Sequence, residues 1–148
     1  MSFTKNSLVI VAIVGLVAWT SSNPLTITWD SLKDVKYRKK FYLEMGQFFL
    51  YPTFGKSLKE INGKTVSISG YVIPMDTEGE YYVVSKFPMA QCFFCGLAGP
   101  ETIVMLHFKE KPRRMKTDEK RCFTGRLRLN SENIEELNFI LEEATFCE

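Results

Sequence analysis

The chain has 148 residues, of which 45% are hydrophobic and 24% are charged. That length suits one domain of ordinary size, and the composition is typical of a globular protein and excludes a disordered one. The net charge of +2 is too small to indicate nucleic-acid binding, so we expect no nucleic-acid partner.

The first 22 residues differ in composition from the rest of the chain. Lys5 precedes an uncharged apolar run from Leu8 to Trp19, and the polar segment 20–24 then ends that run. A basic start, a short apolar core and a polar break are typical of a secretory signal peptide. The run is short for a bilayer span, which takes about 20 residues, although a retained anchor stays an alternative. We therefore expect residues 1–22 to be a signal peptide or membrane anchor, with the remaining chain periplasmic or tethered outside the cytoplasm at the inner membrane.

Residues 23–56 predict an aromatic-rich extension. The alternating segment Leu25–Trp29 predicts a short strand. Residues 36–40 carry four basic side chains, for which a solvated segment is favoured over a membrane-surface patch. The aromatic residues of 41–54 are expected to pack in the core or to cover an open barrel end. Stacking on nucleic-acid bases would need a basic stripe that these residues lack.

From residue 57 onward the pattern changes to β structure. Residues 57–64 predict a helical or turn lead-in that ends in an Asn-Gly turn. Four strands are predicted, over residues 66–73, 81–87, 102–108 and 121–129. The polar segment 109–120 predicts an exposed loop. Residues 130–132 predict the cap of a helix, and 144–148 a last short strand. The apolar residues of that helix would be Ile134, Leu137, Ile140 and Leu141.

Two glycines inside the predicted strands, Gly70 and Gly125, indicate bends. Short strands with glycine bends and a late helix fit a small, closed, five-stranded barrel of the OB type. The predicted fold class is therefore mainly β with one or two short helices, and residues 57–148 are expected to form the OB-like barrel.

The motif that carries chemistry is Cys92-Phe-Phe-Cys95-Gly96. Its spacing lets one turn of backbone present both sulfurs to one point, which suits a soft metal ion or a local disulfide. A tetrahedral zinc site needs two further ligands beyond Cys92 and Cys95. The candidate ligands are Glu101, Asp76, Cys122 and His107.

Three interpretations of the four cysteines stay open. The first is a metal site at Cys92 and Cys95. The second is a structural disulfide between them, with Cys122 to Cys147 as a second bond, because exported chains can form disulfides. The third is thiol exchange, although Gly96 begins a turn and not the helix that activates a thioredoxin-type thiol. Hydrolase and phosphate-loop motifs are missing from the sequence, so we predict no catalytic residues.

Several motifs together resemble domain-of-unknown-function family 3299, a group of exported bacterial proteins. They are Ile27-Thr-Trp29-Asp30, Tyr51-Pro-Thr-Phe54-Gly, residues 63–74, residues 92–101 and Phe123-x-Gly125-x-Leu127. The resemblance covers roughly residues 26–146, and the Cys-Phe-Phe-Cys-Gly form is similar to the Bacteroidetes-type members. The resemblance implies an exported, OB-like domain. It does not imply an established reaction. Other branches place a Cys-x-His in this loop, and exchange of one soft ligand for another fits a metal site.

The sequence thus predicts an exported, non-catalytic binding module that holds a soft divalent metal, zinc, through Cys92 and Cys95. Glu101 and Asp76 are the further ligands of that prediction. A thiol–disulfide redox protein and a disulfide-stabilised structural or interaction domain are the alternatives. We expect a membrane protein or an envelope complex as the partner, and the membrane itself if the N-terminal segment is retained.

Overall fold

The computed structural model describes residues 23–78 and 81–147. The signal or anchor predicted over residues 1–22 lies outside them, and within the described part no helix is long and apolar enough to cross a membrane. The eight strands described are β1 Leu25–Thr26, β2 Val35–Tyr42, β3 Gln47–Phe54, β4 Thr65–Pro74, β5 Tyr82–Ser85, β6 Ile103–Phe108, β7 Lys120–Leu129 and β8 Phe139–Phe146. The helix α1 spans Lys56–Ile61, and short 3₁₀ helices span Trp29–Lys33, Met89–Gln91, Phe93–Cys95 and Pro100–Thr102.

Five of the strands close into a barrel in the order β4-β5-β6-β8-β7, and β7 pairs again with β4. The β6–β8 pair is parallel, whereas the other four pairs of the ring are antiparallel. Numbered from β4, this is the strand order 1-2-3-5-4-1 of the OB fold. The predicted mainly β fold with a small closed barrel is confirmed.

The two strand glycines lie where the barrel bends. β4 pairs with β7 over residues 65–71 and with β5 over residues 71–74, so Gly70 lies beside the point where β4 changes its neighbour. The β7–β8 register shifts between Thr124 and Arg126, around Gly125. Both features let a strand turn sharply enough for closure.

The main core fills the barrel and includes residues of the N-terminal extension. Ile27, Leu32 and Phe54 are buried in the same cluster as the barrel residues Val66, Phe123 and Leu141. The ring of Phe54 meets that of Phe139 edge-on, with centroids 5.7 Å apart. Because side chains alternate along a strand, Ile73, Val83 and Ile103 point to the opposite face of β4, β5 and β6. There they form a second, smaller buried cluster with Cys92.

The strands β2 and β3 form a separate two-stranded hairpin in antiparallel register. Its base reaches the barrel core through Val35 and Phe54, while Phe41 and Phe48 near its turn are exposed. Of the two expectations for the aromatic residues of 41–54, packing in the core holds for Phe54 and not for Phe41 and Phe48, and cover of an open barrel end stays a prediction. Eight residues per strand carry the hairpin beyond the part of the barrel that can cover it.

The helix predicted after Asn130 is absent, and that prediction was wrong. Residues 131–138 form a loop, and Phe139–Phe146 is the strand β8. Asn130 does not cap a helix but organises the loop. Its Nδ2 donates to the carbonyl oxygens of Asn133, Glu136 and Leu137. Its Oδ1 accepts from the backbone N–H groups of residues 132 and 133. Residues 139–146 pair with both β6 and β7, and this pairing outweighs the helical spacing of the apolar residues in 134–141.

Candidate functional site

The cysteine loop is built from two consecutive 3₁₀ turns between β5 and β6. Cys92 separates these turns, and its backbone N–H donates to the carbonyl oxygen of Met89 at 3.3 Å. The N–H of Cys95 donates to the carbonyl oxygen of Cys92 at 3.1 Å. Gly96 ends the second turn with φ 74°, a left-handed conformation that glycine adopts without strain. The local sequence therefore folds into the tight turn that its spacing predicts.

The two thiols of this loop lie in different surroundings. Cys92 is fully buried and packs in the apolar cluster of Ile73, Val83 and Ile103. Cys95 is exposed, and its Sγ donates to the carbonyl oxygen of Met89 at 3.0 Å. Both are free thiols. Local desolvation of its sulfur, followed by the neighbouring Cys92, raises the pKa of the Cys95 thiol above its ordinary value. The Cys95 sulfur thus favours the protonated thiol over a reactive thiolate.

The other predicted metal ligands lie in contacts of their own. Asp76 Oδ1 accepts from the backbone N–H of Tyr81 at 3.1 Å across the β4–β5 loop. Glu101 lies towards the extension, where burial and then the charge of Glu101 raise the pKa of the Tyr37 hydroxyl. Over residues 23–78 and 81–147, no three His, Cys, Asp or Glu side chains are grouped so as to hold a metal ion. Zinc at this loop stays a prediction. The cysteine loop supplies two thiols for it, Cys92 and Cys95.

The remaining cysteines form the bond that the sequence left as an alternative. Cys122 on β7 and Cys147 after β8 are joined by a disulfide with a Cα–Cα distance of 5.4 Å. The adjacent cross-strand pair Phe123 and Phe146 stacks with ring centroids 5.5 Å apart. The bond therefore fastens the end of β8 to its antiparallel neighbour and takes Cys122 out of the set of metal ligands.

A groove of about 310 Å³ lies between the hairpin, the cysteine loop and the 131–138 loop, and we call it the aromatic groove. The hairpin lines it with Tyr42 and residues 48–52, and the cysteine loop with Phe93 and Pro100. The last loop adds Ser131, Asn133, Ile134 and residues 136–138. Tyr42 and Phe49 meet edge-on on the hairpin side, with centroids 5.2 Å apart. One wall is thus aromatic, and the opposite wall combines the amides of Asn133 and Asn138 and the carboxylate of Glu136 with the apolar Ile134 and Leu137.

Ion pairs hold the polar wall in place. Arg128 on β7 donates from Nη2 to Glu136 Oε1 at 2.9 Å and from Nε to Glu142 Oε1 at 2.6 Å. His107, on β6, lies between the same two carboxylates, with Nδ1 3.2 Å from Glu142 Oε2 and Nε2 3.6 Å from Glu136 Oε1. The hydrogen bond from Arg128 lowers the pKa of Glu136 below its ordinary value. His107 therefore belongs to this network and not to the cysteine loop.

Sequence reasoning did not identify the aromatic groove. Its parts come from three segments that lie far apart in the chain, and the 131–138 loop was predicted as a helix. The density of aromatic residues in 41–54 was the one available signal, since exposed aromatic side chains often mark a binding surface. Alternation along β2 and β3 alone does not show which of those rings stay uncovered.

Comparisons with known proteins bear on the fold. No model of a protein family matches the chain, and no curated protein sequence matches it. Its structure is similar to the crystal structure of a DUF3299 family protein from Pseudomonas aeruginosa PAO1, with a TM-score of 0.52 and 11% sequence identity. The similarity covers 86% of this chain and 98% of that one. The chain therefore has the fold of that family, which confirms at the level of the fold the resemblance seen in the sequence motifs.

Proposed function

We propose that this protein is an exported, non-catalytic binding module and that its ligand lies in the aromatic groove. The observation that carries the proposal is the groove itself, whose volume of about 310 Å³ is of the size of small-molecule sites. Such sites are mostly apolar and aromatic and contain a few placed polar groups, which matches the two walls described above.

The walls define the chemistry of the ligand. Tyr42, Phe49 and Tyr51 offer flat apolar surface. The Nδ2 groups of Asn133 and Asn138 each donate one hydrogen bond within the protein and each have a second N–H for a ligand. The Glu136 carboxylate is already paired with Arg128, so it adds no unpaired charge to the groove. A ligand with an apolar or aromatic body and one polar, hydrogen-bonding end fits these surroundings.

The state of the thiols supports binding over thiol exchange. A thiolate is the reactive form of cysteine, and reactive cysteines lie in electropositive surroundings that lower the thiol pKa. Desolvation raises the pKa of Cys95, and Cys92 is buried among aliphatic side chains, where cysteines are inert. Both properties argue against thiol exchange, and the burial of Cys92 favours a packing role for that residue.

The disulfide supports the export part of the proposal. Disulfides such as Cys122–Cys147 persist in oxidising compartments and are rare in the cytosol. The basic and apolar start of the sequence independently predicts export. A phosphatase that is active only in the periplasm, fused after Glu148, should therefore be active. If a reporter that works only in the cytoplasm were active at the same position, export would be contradicted.

Fluorescence titration with anilinonaphthalene sulfonate tests the groove, because this probe has an aromatic body and one polar end. We expect saturable binding to residues 23–148 and at least about a tenfold loss of affinity in Ile134→Asp, which places a charge in the groove wall. Met75→Asp introduces the same charge at an exposed site outside the groove and should bind as wild type does. Equal affinities of the two variants would contradict the proposal.

Zinc at Cys92 and Cys95 is a second candidate function, favoured by two free thiols on adjacent turns of one loop. The chain would supply two thiolates, and a partner or an exogenous ligand would complete the site. Mass spectrometry of protein purified under reducing conditions tests it. Stoichiometric zinc that is lost in Cys95→Ser supports the site, whereas trace zinc in both proteins rules it out.

A further inference from the structure

The turn of the β2–β3 hairpin forms an apolar tip that the barrel leaves exposed. Leu43 is 88% exposed and Phe48 66%, and Phe41 and Met45 are exposed beside them. Phe41 and Phe48 form a cross-strand pair with ring centroids 5.0 Å apart, so the tip is a formed surface. Contiguous exposed apolar surface of this kind marks an interaction site.

Basic side chains lie directly behind this tip on β2. Lys36, Arg38, Lys39 and Lys40 are all exposed, and Glu44 is the one acidic residue in 35–54, which gives the hairpin a net charge of +3. The whole chain carries +2, so the other residues together carry −1. The positive charge of the protein is thus concentrated on the hairpin that carries the apolar tip.

Aromatic rings flank the basic residues of the hairpin. The Lys40 ammonium lies over the rings of Tyr42 and Tyr51, 5.2 and 5.4 Å from their centroids. Tyrosine rings with a polar hydroxyl, and lysines whose stems cover apolar surface, are favoured where an apolar phase meets water. Tyr42 pairs with Gln47 beside the turn, and Tyr51 pairs with Arg38 further along the hairpin. The hairpin therefore presents an apolar tip, with aromatic rings interleaved among the cationic side chains behind it.

We propose that the hairpin tip docks on an anionic lipid surface. Phe41, Leu43 and Met45 enter the boundary between headgroups and acyl chains, and the basic residues of β2 contact the lipid phosphates. Apolar contact and electrostatic attraction together set the strength of such interfacial binding. A second copy of the chain is a poorer occupant, because two hairpins of charge +3 repel one another.

Glu44 fixes how deeply the tip can enter the lipid. It lies between Leu43 and Met45 in the turn, and a carboxylate at the bilayer centre is costly. The tip therefore remains in the interface, where apolar faces are buried by about 5–10 Å, and does not cross the hydrocarbon core. This inference does not depend on the identity of a ligand in the aromatic groove, although Tyr42, Phe48 and Tyr51 belong to both surfaces.

The test uses residues 23–148. Both buried clusters of the described residues lie between Ile27 and Ala144, so this chain contains all of them. Sedimentation is measured with phosphatidylcholine vesicles that contain about 30% phosphatidylglycerol and with phosphatidylcholine vesicles alone. We expect binding to the anionic vesicles, weaker binding to the neutral ones, and loss of the difference in about 0.5 M salt.

Paired variants separate the tip from general surface effects. Leu43→Ser with Met45→Ser should weaken vesicle binding about tenfold, because the tip then loses Leu43, its most exposed apolar side chain, together with Met45. The control is Leu97→Ser with Met75→Ser, which changes the same residue types at sites 71% and 46% exposed on other loops. Arg38→Glu with Lys39→Glu should weaken anionic binding at least about tenfold, whereas Lys59→Glu with Lys64→Glu, also exposed, should change it about twofold or less.

Three results would overturn the proposal. The first is a wild-type protein that does not sediment with anionic vesicles, and the second is an equal loss of binding in the tip variants and their controls. The third is a wild-type protein that is a dimer in analytical ultracentrifugation while the variant Leu43→Ser with Met45→Ser is a monomer. The tip would then be covered by a second copy of the chain. All the substituted side chains are exposed, so circular dichroism should show folded proteins throughout.

Discussion

Arg128 on β7 and Glu136 in the 131–138 loop form an ion pair with 2.9 Å between Nη2 and Oε1. The same Glu136 lines the aromatic groove. Because Arg128 also binds Glu142 on β8, one side chain connects the groove loop to two barrel strands. The position of the polar groove wall therefore depends on charge.

The ion pair predicts a pH dependence of stability. Arg128 lowers the pKa of Glu136 below its ordinary value of 4.5, so the pair stabilises the fold above that pH. Its contribution is lost as the pH falls from about 4.5 through the lower pKa of the folded state. Glu136→Gln should reduce the free energy of unfolding by about 1 kcal/mol at pH 7.

Urea unfolding of both proteins at pH 7 and pH 3 measures this dependence. The difference between wild type and Glu136→Gln should be smaller at pH 3, which lies below the ordinary pKa of 4.5 at which the carboxyl of the unfolded chain takes up its proton. Glu132→Gln changes an exposed carboxyl of the same loop and serves as the control. A difference that is unchanged or larger at pH 3 would contradict the electrostatic explanation.

The Cys122–Cys147 disulfide should be the largest covalent contribution to stability. It closes a loop with a sequence separation of 25, for which a restriction of the unfolded chain by about 3 kcal/mol is expected. Cys122→Ser with Cys147→Ser should therefore lower the free energy of unfolding by about 3 kcal/mol. Cys95→Ser, at an exposed free thiol, is the control and should unfold at nearly the wild-type urea concentration. A double variant as stable as that control would show that the bond does not stabilise the fold.

The barrel strands could be predicted from the sequence because local signals agree with the fold there. Alternation of apolar residues along 66–73 and the prolines at 74 and 88 predict β4 and β5, and the two glycines mark the bends of a closed sheet. Each signal lies within a few residues of the feature it predicts. The strand, proline and glycine signals together predict the OB-like barrel.

The aromatic groove and the burial of the Cys92 thiol depend on contacts between residues that are distant in the chain. Asn130 is a good helix cap by residue type, yet its side chain satisfies the backbone of a loop because 139–146 is needed between β6 and β7. Cys92 is buried by residues of three different strands. A motif of two cysteines cannot reveal whether its surroundings are apolar, and that decides between packing and metal binding.

Substitution of Cys92 separates packing from metal binding. If Cys92 only fills the cluster of Ile73, Val83 and Ile103, Cys92→Ala should cost about 1 kcal/mol, and Cys92→Ser should cost more because a hydroxyl is then buried among aliphatic groups. Cys95→Ser should have little effect. Thermal unfolding under reducing conditions, with and without a chelator, measures this order. A bound metal would give a different result. Cys92→Ser and Cys95→Ser would then destabilise the protein equally, and the chelator would destabilise the wild type by the same amount.

Gly70 provides the sharpest test of the barrel. Its φ is not left-handed, so the need for glycine is one of space. A Cβ at this position would collide with the carbonyl oxygen of Ser85 and lie 2.8 Å from Trp29 Cζ2. Neither neighbour can move freely, because Ser85 belongs to β5 and the Trp29 Nε1 donates to the carbonyl oxygen of Ser69 at 2.9 Å.

We therefore expect Gly70→Val to destabilise the protein by about 1–3 kcal/mol through overpacking, seen as a lower melting temperature. Ser69→Val places the same side chain one residue earlier on β4, where it is exposed, and should melt close to wild type. Gly70→Ala should already show part of the loss, because the collision involves the Cβ itself. If Gly70→Val and wild type melted at the same temperature, β4 could not pass between β5 and Trp29 as closely as the closed barrel requires.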